Sequence, residues 1–222
     1  LIREIPTVTS PHDGRVYLSP SNPDGVCYYL IEWLKKNKKP GIHVKPKTFD
    51  HYMEIAERLY RFFGETDAAV INRDCMQEFF DWMKTPAARK DHKDMGLSAK
   101  TINNTYVVLS EFFEDNIGKY FISNPCRKTK RDKAIVSEAR VLEQDEQEVF
   151  IREALEERRL GRAILIVLFT GLRLGEILAL EISDFDFKKK RIRVNKDLVR
   201  IKTYAATGPK TKLIKQDTPK SN

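Results

Sequence analysis

The chain has 222 residues, with 40 Lys and Arg against 32 Asp and Glu, and a formal net charge of +8. That length holds one large or two small domains, a hydrophobic share of 41% supports a packed core rather than a disordered tail, and the basic balance is compatible with a polyanionic partner. Three dispersed cysteines (Cys27, Cys75, Cys126), no Cys-x-x-Cys pair and four scattered histidines speak against a disulfide framework or a zinc site, and the longest apolar run, 163–169, is far below the ~20 residues a membrane helix needs.

Residues 1–24 are rich in Pro, Gly, Ser, Asn and Asp and read as an arm or linker, with 15–18 a candidate short strand. The chain opens on Leu1 rather than Met, so a preceding piece is expected. Four amphipathic helical patterns follow, at 28–36, 47–63, 72–83 and 98–117. Asn72 and Ser98 are placed as N-caps of the last two. Residues 25–126 are thereby expected to form one helical domain. The stretch 127–137, with five Lys and Arg between positions 127 and 131 or at 133, lacks apolar periodicity and reads as a basic linker.

The remainder, 138–222, begins with an acidic helix at 142–160, a break at Gly161 and a buried apolar helix at 162–170. The period then changes. Residues 191–195 and 198–202 alternate as strands with one wet face, and 213–216 is a third, short strand. The fold class is mainly α with a small antiparallel sheet.

Between the apolar helix and the strands stands Thr170-Gly171-Leu172-Arg173-Leu174-Gly175-Glu176. Arg173 and Glu176 are three apart and share a face of a short helix, while Leu174, Ile177 and Leu178 are expected to pack on the other. Arginine grips phosphate oxygens through a planar fork that keeps its charge. By itself the Arg–Glu spacing favours an ordinary helix with a surface Arg–Glu pair.

The whole string TGLRLGEILALEISDFDF resembles the first conserved box of the tyrosine recombinases, the phage-integrase family of DNA strand-exchange enzymes. The segment 97–104 together with 122–126 resembles the last long helix and exit of that family's helical core-binding domain, a four-helix bundle of the SAM-like kind. The resemblance implies a core-binding domain at 25–126 and the first half of a catalytic domain at 138–222. It makes Arg173 a catalytic arginine on the scissile phosphate and Glu176 its supporting carboxylate. The turn 207–212 resembles the family's lysine hairpin, with Lys210 as the proton donor to the leaving 5′-oxygen and Lys212 as the alternative. Ile214 and Gln216 depart from the family's usual residues there.

The family's later His-x-x-Arg box has no counterpart after His92, and Tyr204, on a strand ahead of the hairpin, is not assigned as nucleophile. The chain is therefore read as a C-terminal truncation. It is expected to be inactive in cleavage and to expose apolar surface, including 163–169. The intact protein is expected to cut and rejoin DNA through a 3′-phosphotyrosyl link, without metal, nucleotide or other cofactor. Its partner is double-stranded DNA, on which the family assembles as a tetramer; no membrane partner is expected, and the location is cytoplasmic. Lys45, Lys47 and Thr48 at one helix start, and Lys100, Thr101, Asn103 and Asn104 at another, are the candidate DNA contacts, because helix starts offer N–H groups and charge to phosphates. The alternative is a non-catalytic, sequence-specific DNA-binding regulator on the same scaffold.

Overall fold

The computed structural model describes residues 6–9, 16–91, 93–135, 138–204 and 208–217. The chain divides into two compact units. The first comprises Leu1–Val136 with Thr203–Lys210, and the second Ser137–Lys202 with Thr211–Asn222. Among the described residues no helix is long and apolar enough to cross a membrane.

The first unit is built on four helices, α1 (Val26–Asn37), α2 (Pro46–Phe63), α3 (Arg73–Trp82) and α4 (Ala99–Glu114). Their starts follow local chemistry. The Asn72 side chain accepts from the N–H groups of Asp74 and Cys75, and the Ser98 side chain accepts from that of Thr101, as capping predicts. Pro46 occupies the first turn of α2, where its missing N–H costs nothing. The apolar stripes meet in one aromatic core. Phe79, Phe80, Phe112 and Phe113 are fully buried with Leu30, Leu34, Ile55 and Leu59. The indole of Trp33 on α1 donates to Asp115 just beyond α4 at 3.0 Å, joining the two helices at the core's edge.

Two stretches without periodicity are nonetheless fixed. Ahead of α1, β1 (Thr7–Thr9) pairs antiparallel with β2 (Val16–Leu18); Arg15 lies outside the described residues. Glu65, past the end of α2, then accepts from the backbone N–H groups of Ser21 and Asn22 at 3.1 and 2.8 Å. The basic stretch after Cys126 is likewise held on α3 and α4, by contacts described below.

The second unit contains α5 (Gln144–Glu156), α6 (Gly161–Thr170), α7 (Leu174–Ala179) and two separate antiparallel hairpins. In one, β3 (Phe185–Asp186) pairs with β4 (Arg191–Ile192); in the other, β5 (Asp197–Lys202) pairs with β6 (Thr211–Gln216), Val199 opposite Ile214. The expected sheet thus comes as two hairpins. Gly161, expected as a break, is the first residue of α6. That helix is also not the buried one expected: residues 163–167 are half-buried, and Phe169 is 73% exposed. Helices α5 and α7 are its helical neighbours among the described residues, so they cover only part of an all-round apolar helix. The expected exposure of apolar surface at 163–169 is seen at Leu168 and Phe169.

Candidate functional site

Four residues of the segment 170–176 have identifiable local tasks. Gly171 ends α6 in the left-handed region, φ +68°, with its N–H on the Val167 carbonyl at 2.8 Å; an L side chain is strained there. The chain turns, and Arg173 becomes the N-cap of α7 with extended φ and ψ of −72° and 152°. Gly175 lets the first turn of α7 approach β5. A Cβ at this position would lie 1.8 Å from Asp197 Oδ1 and 3.0 Å from the Leu198 carbonyl oxygen. Glu176, at the third helical position, reaches back. Its Oε2 accepts from the Arg173 backbone N–H at 2.9 Å, and its Oε1 accepts from Arg173 Nη1 at 2.9 Å.

This inverts the expected orientation. Arg173 precedes the helix rather than sharing a face of it. The Glu176 side chain is only 8% exposed while that of Arg173 is 57% exposed. Leu174 and Leu178, expected to pack, are 72% and 57% exposed. The physical reason is satisfaction of polar groups. A carboxylate with both oxygens hydrogen-bonded, one to an orphan helix-start N–H, tolerates burial. The Arg173 backbone N–H, then its guanidinium, hold the Glu176 carboxyl below its ordinary range. The result is a guanidinium presented at the surface with its orientation fixed from beneath.

Beyond α7 stands a second group of charges. Lys196 Nζ lies 2.9 Å from Glu181 and 3.3 Å from Asp184, and Lys215 Nζ lies 2.6 Å from Glu181. Lys215, then Lys196, push the Glu181 carboxyl down to about 2. These pairs tie the turn at Ile182–Asp184 to the start of β5 and to β6. Neither lysine was singled out in the sequence, because nothing local marks a partner 15 or 34 residues away.

Lys210 lies in the segment Thr203–Lys210, which belongs to the first unit, whereas Arg173 and Glu176 belong to the second. The Lys210 carbonyl accepts from the Thr203 N–H at 3.0 Å, and the Thr203 hydroxyl donates to the Pro209 carbonyl at 2.6 Å, closing the turn before β6. Lys212 pairs with Ile201 across β5–β6. Thr207, the first residue of the turn read as this hairpin, lies outside the described residues. In the same segment the Tyr204 hydroxyl donates to Asp50 of α2 at 2.8 Å. Burial, then that hydrogen bond, raise the Tyr204 pKa well above the ordinary phenol range.

The remaining candidates fall into two groups. Lys45, Lys47 and Thr48 are exposed at the start of α2, and Lys100 and Asn104 are exposed in the first turns of α4. The N–H groups expected to await phosphates are partly engaged already. That of Thr48 donates to the Lys45 carbonyl and that of Thr101 to Ser98 Oγ. The Asn103 amide donates to the carbonyl of Asp132 at 3.2 Å.

No family profile matches the chain. Among curated proteins it is similar to a tyrosine recombinase XerC-like protein of Caldanaerobacter subterraneus subsp. tengcongensis, 28% identical over 181 residues, which covers 78% of this chain and 42% of that protein. It is 32% identical over 127 residues to the ICEBs1 integrase of Bacillus subtilis, which covers 56% of this chain and 34% of that protein. Among solved structures, the Tn1549 transposon integrase in complex with a circular intermediate DNA superposes with a TM-score of 0.64 at 24% identity, over 89% of this chain and 58% of that one. The same integrase in complex with transposon right end DNA gives 0.63. The chain is thus similar to tyrosine recombinases and integrases, and it carries the fold of the Tn1549 integrase. It spans less than half the length of the curated relatives it matches.

Proposed function

We propose that this sequence belongs to a site-specific DNA recombinase of the integrase type, with residues 25–126 as its core-binding domain and residues 138–222 as part of its catalytic domain. The observation that carries the reading is the Arg173 guanidinium, exposed to a ligand yet fixed by a buried carboxylate. A planar cation held this way suits the charge that builds on a phosphate under attack, and needs no reorganisation when the charge appears. Glu176 is the residue that positions it. Lys210 is the proton donor to the leaving oxygen, once the hairpin that carries it meets the phosphate. Lys45, Lys47, Thr48, Lys100, Thr101, Asn103 and Asn104 surround the duplex backbone, and copies assemble together on DNA.

Within these 222 residues the nucleophile has no good candidate. No His-x-x-Arg follows His92, and Tyr204 has its hydroxyl committed to a carboxylate and its ionisation disfavoured. Catalytic groups act as a unit, so a partial set gives essentially no turnover. The chain alone is proposed to bind duplex DNA and to form no covalent link with it. Incubation with a nicked cognate duplex followed by a denaturing gel tests both halves of this. A shifted band under native conditions that vanishes on denaturation is expected. A denaturation-resistant band mapping to Tyr204 overturns the assignment.

A further inference from the structure

Residues 127–132 carry four cations, Arg127, Lys128, Lys130 and Arg131, and have no apolar pattern to hold them. Yet side chains of α3 and α4 grip their backbone. Gln77 binds both sides of one peptide position: its Oε1 accepts from the Lys130 N–H at 2.7 Å, and its Nε2 donates to the Lys130 carbonyl at 3.1 Å. The same Nε2 lies 3.1 Å from Asp81, which pairs with Lys84 at 2.9 Å, and Lys84 in turn reaches Asp132 at 3.5 Å. The Asn103 amide takes the Asp132 carbonyl. The Arg131 guanidinium stacks over the Tyr106 ring, 3.2 Å from its centroid. Thr129 is buried, with its hydroxyl on the Cys126 carbonyl at 2.8 Å, and Lys128 takes a left-handed φ of 60° to make the turn. Side chains therefore alternate. Thr129 and Arg131 point inward, while Lys128 and Lys130 are exposed.

We infer that residues 127–132 are a fastened strap of the first unit, and that the uncharged Gln77 and Tyr106 are positioning residues that hold Lys128 and Lys130 in place for the phosphates of duplex DNA. The partner rests on the DNA reading above; the fastening does not. A flexible basic segment loses conformational entropy when it lies along a backbone, and a strap already ordered avoids that loss. A left-handed non-glycine residue inside the segment points the same way, since such a conformation persists only where the surroundings over-determine it.

The experiment uses the 222-residue chain and its Gln77→Ala and Tyr106→Phe variants, with limited trypsin digestion read at Lys128, Lys130 and Arg131. Gln77→Ala removes both hydrogen bonds to Lys130 and changes no charge, so cleavage at these sites is expected to rise about tenfold with an unchanged melting temperature. Tyr106→Phe keeps the ring under Arg131 and is expected to be cut at the wild-type rate. Gln77→Ala is also expected to weaken binding to a duplex roughly fivefold. Lys128→Gln and Lys130→Gln are expected to make the slope of log K against log salt shallower by about 0.9 each. Wild-type cleavage rates in Gln77→Ala overturn the strap. Faster cleavage with unchanged duplex affinity overturns its role toward DNA. A wild-type chain that binds no duplex overturns the DNA reading, and the digestion still decides the fastening.

Discussion

Glu176 holds Arg173 at two points 2.9 Å away, the backbone N–H with one carboxylate oxygen and Nη1 with the other. One side chain thus caps the helix start and aims the guanidinium. In an active recombinase carrying this sequence, Glu176→Ala is expected to leave DNA affinity within about threefold of wild type, since the charge of Arg173 stays. Strand cleavage is expected to fall about a hundredfold, the size of effect that a misplacement of about 1 Å produces. Binding isotherms and single-turnover cleavage on one substrate separate the two. Loss of affinity without loss of cleavage rate contradicts the positioning role.

Much of this was legible in the sequence because it is local. Helical periodicity located α1 to α4, and Asn72 and Ser98 capped where their chemistry placed them. The string from Thr170 to Glu176 marks the candidate site. What the sequence leaves illegible depends on distant partners. The bond between Tyr204 and Asp50 joins residues 154 apart, and Gln77 meets Lys130 across 53. The inversion of α7 was hidden for a different reason. Hydrophobic patterning sends leucines inward by default, whereas here a carboxylate with two hydrogen bonds takes the buried position.

The two glycines of the segment are expected to resist substitution for different reasons. Gly171→Ala forces a left-handed L residue at the end of α6, costing about 1–2 kcal/mol. Gly175→Ala places a Cβ where Asp197 must rotate away and the Leu198 carbonyl stays close, costing about 1–3 kcal/mol by overpacking. Hydrogen exchange of α7 and β5 amides measures both. A neutral Gly175→Ala contradicts the close approach.

Acid is expected to loosen the second unit. Glu176 and Asp184 have carboxyls held below their ordinary range, and Glu181 falls from 4.5 to about 2. Groups lowered in the folded state stabilise it fully above their unfolded values and lose that contribution as pH falls through the folded ones. Stability is therefore flat above pH 5 and declines between about 4.5 and 2. Lys215→Gln, which removes the largest influence on Glu181, is expected to weaken the unit at neutral pH and to flatten that decline. Amide resonances of β5 and β6 followed through an acid titration check the sign.

Binding of the chain to duplex DNA is expected to be dominated by phosphates, with log K falling by about 0.9 per phosphate neutralised for each tenfold rise in salt. Lys45→Gln, Lys47→Gln and Lys100→Gln are each expected to weaken all sequences about equally and to reduce the slope by about 0.9. An isotherm flat between low and moderate salt contradicts this assignment.

The most direct measurement is covalent-complex formation on a nicked suicide substrate by an active recombinase carrying this sequence, comparing wild type with Arg173→Lys. Lysine keeps the charge and loses the planar fork and its contact geometry with Glu176. The expected result is near abolition of the protein–DNA adduct with duplex affinity largely retained, because the stabilisation lies in the transition state. An Arg173→Lys variant that forms adduct at close to the wild-type rate contradicts the placement of this arginine on the scissile phosphate.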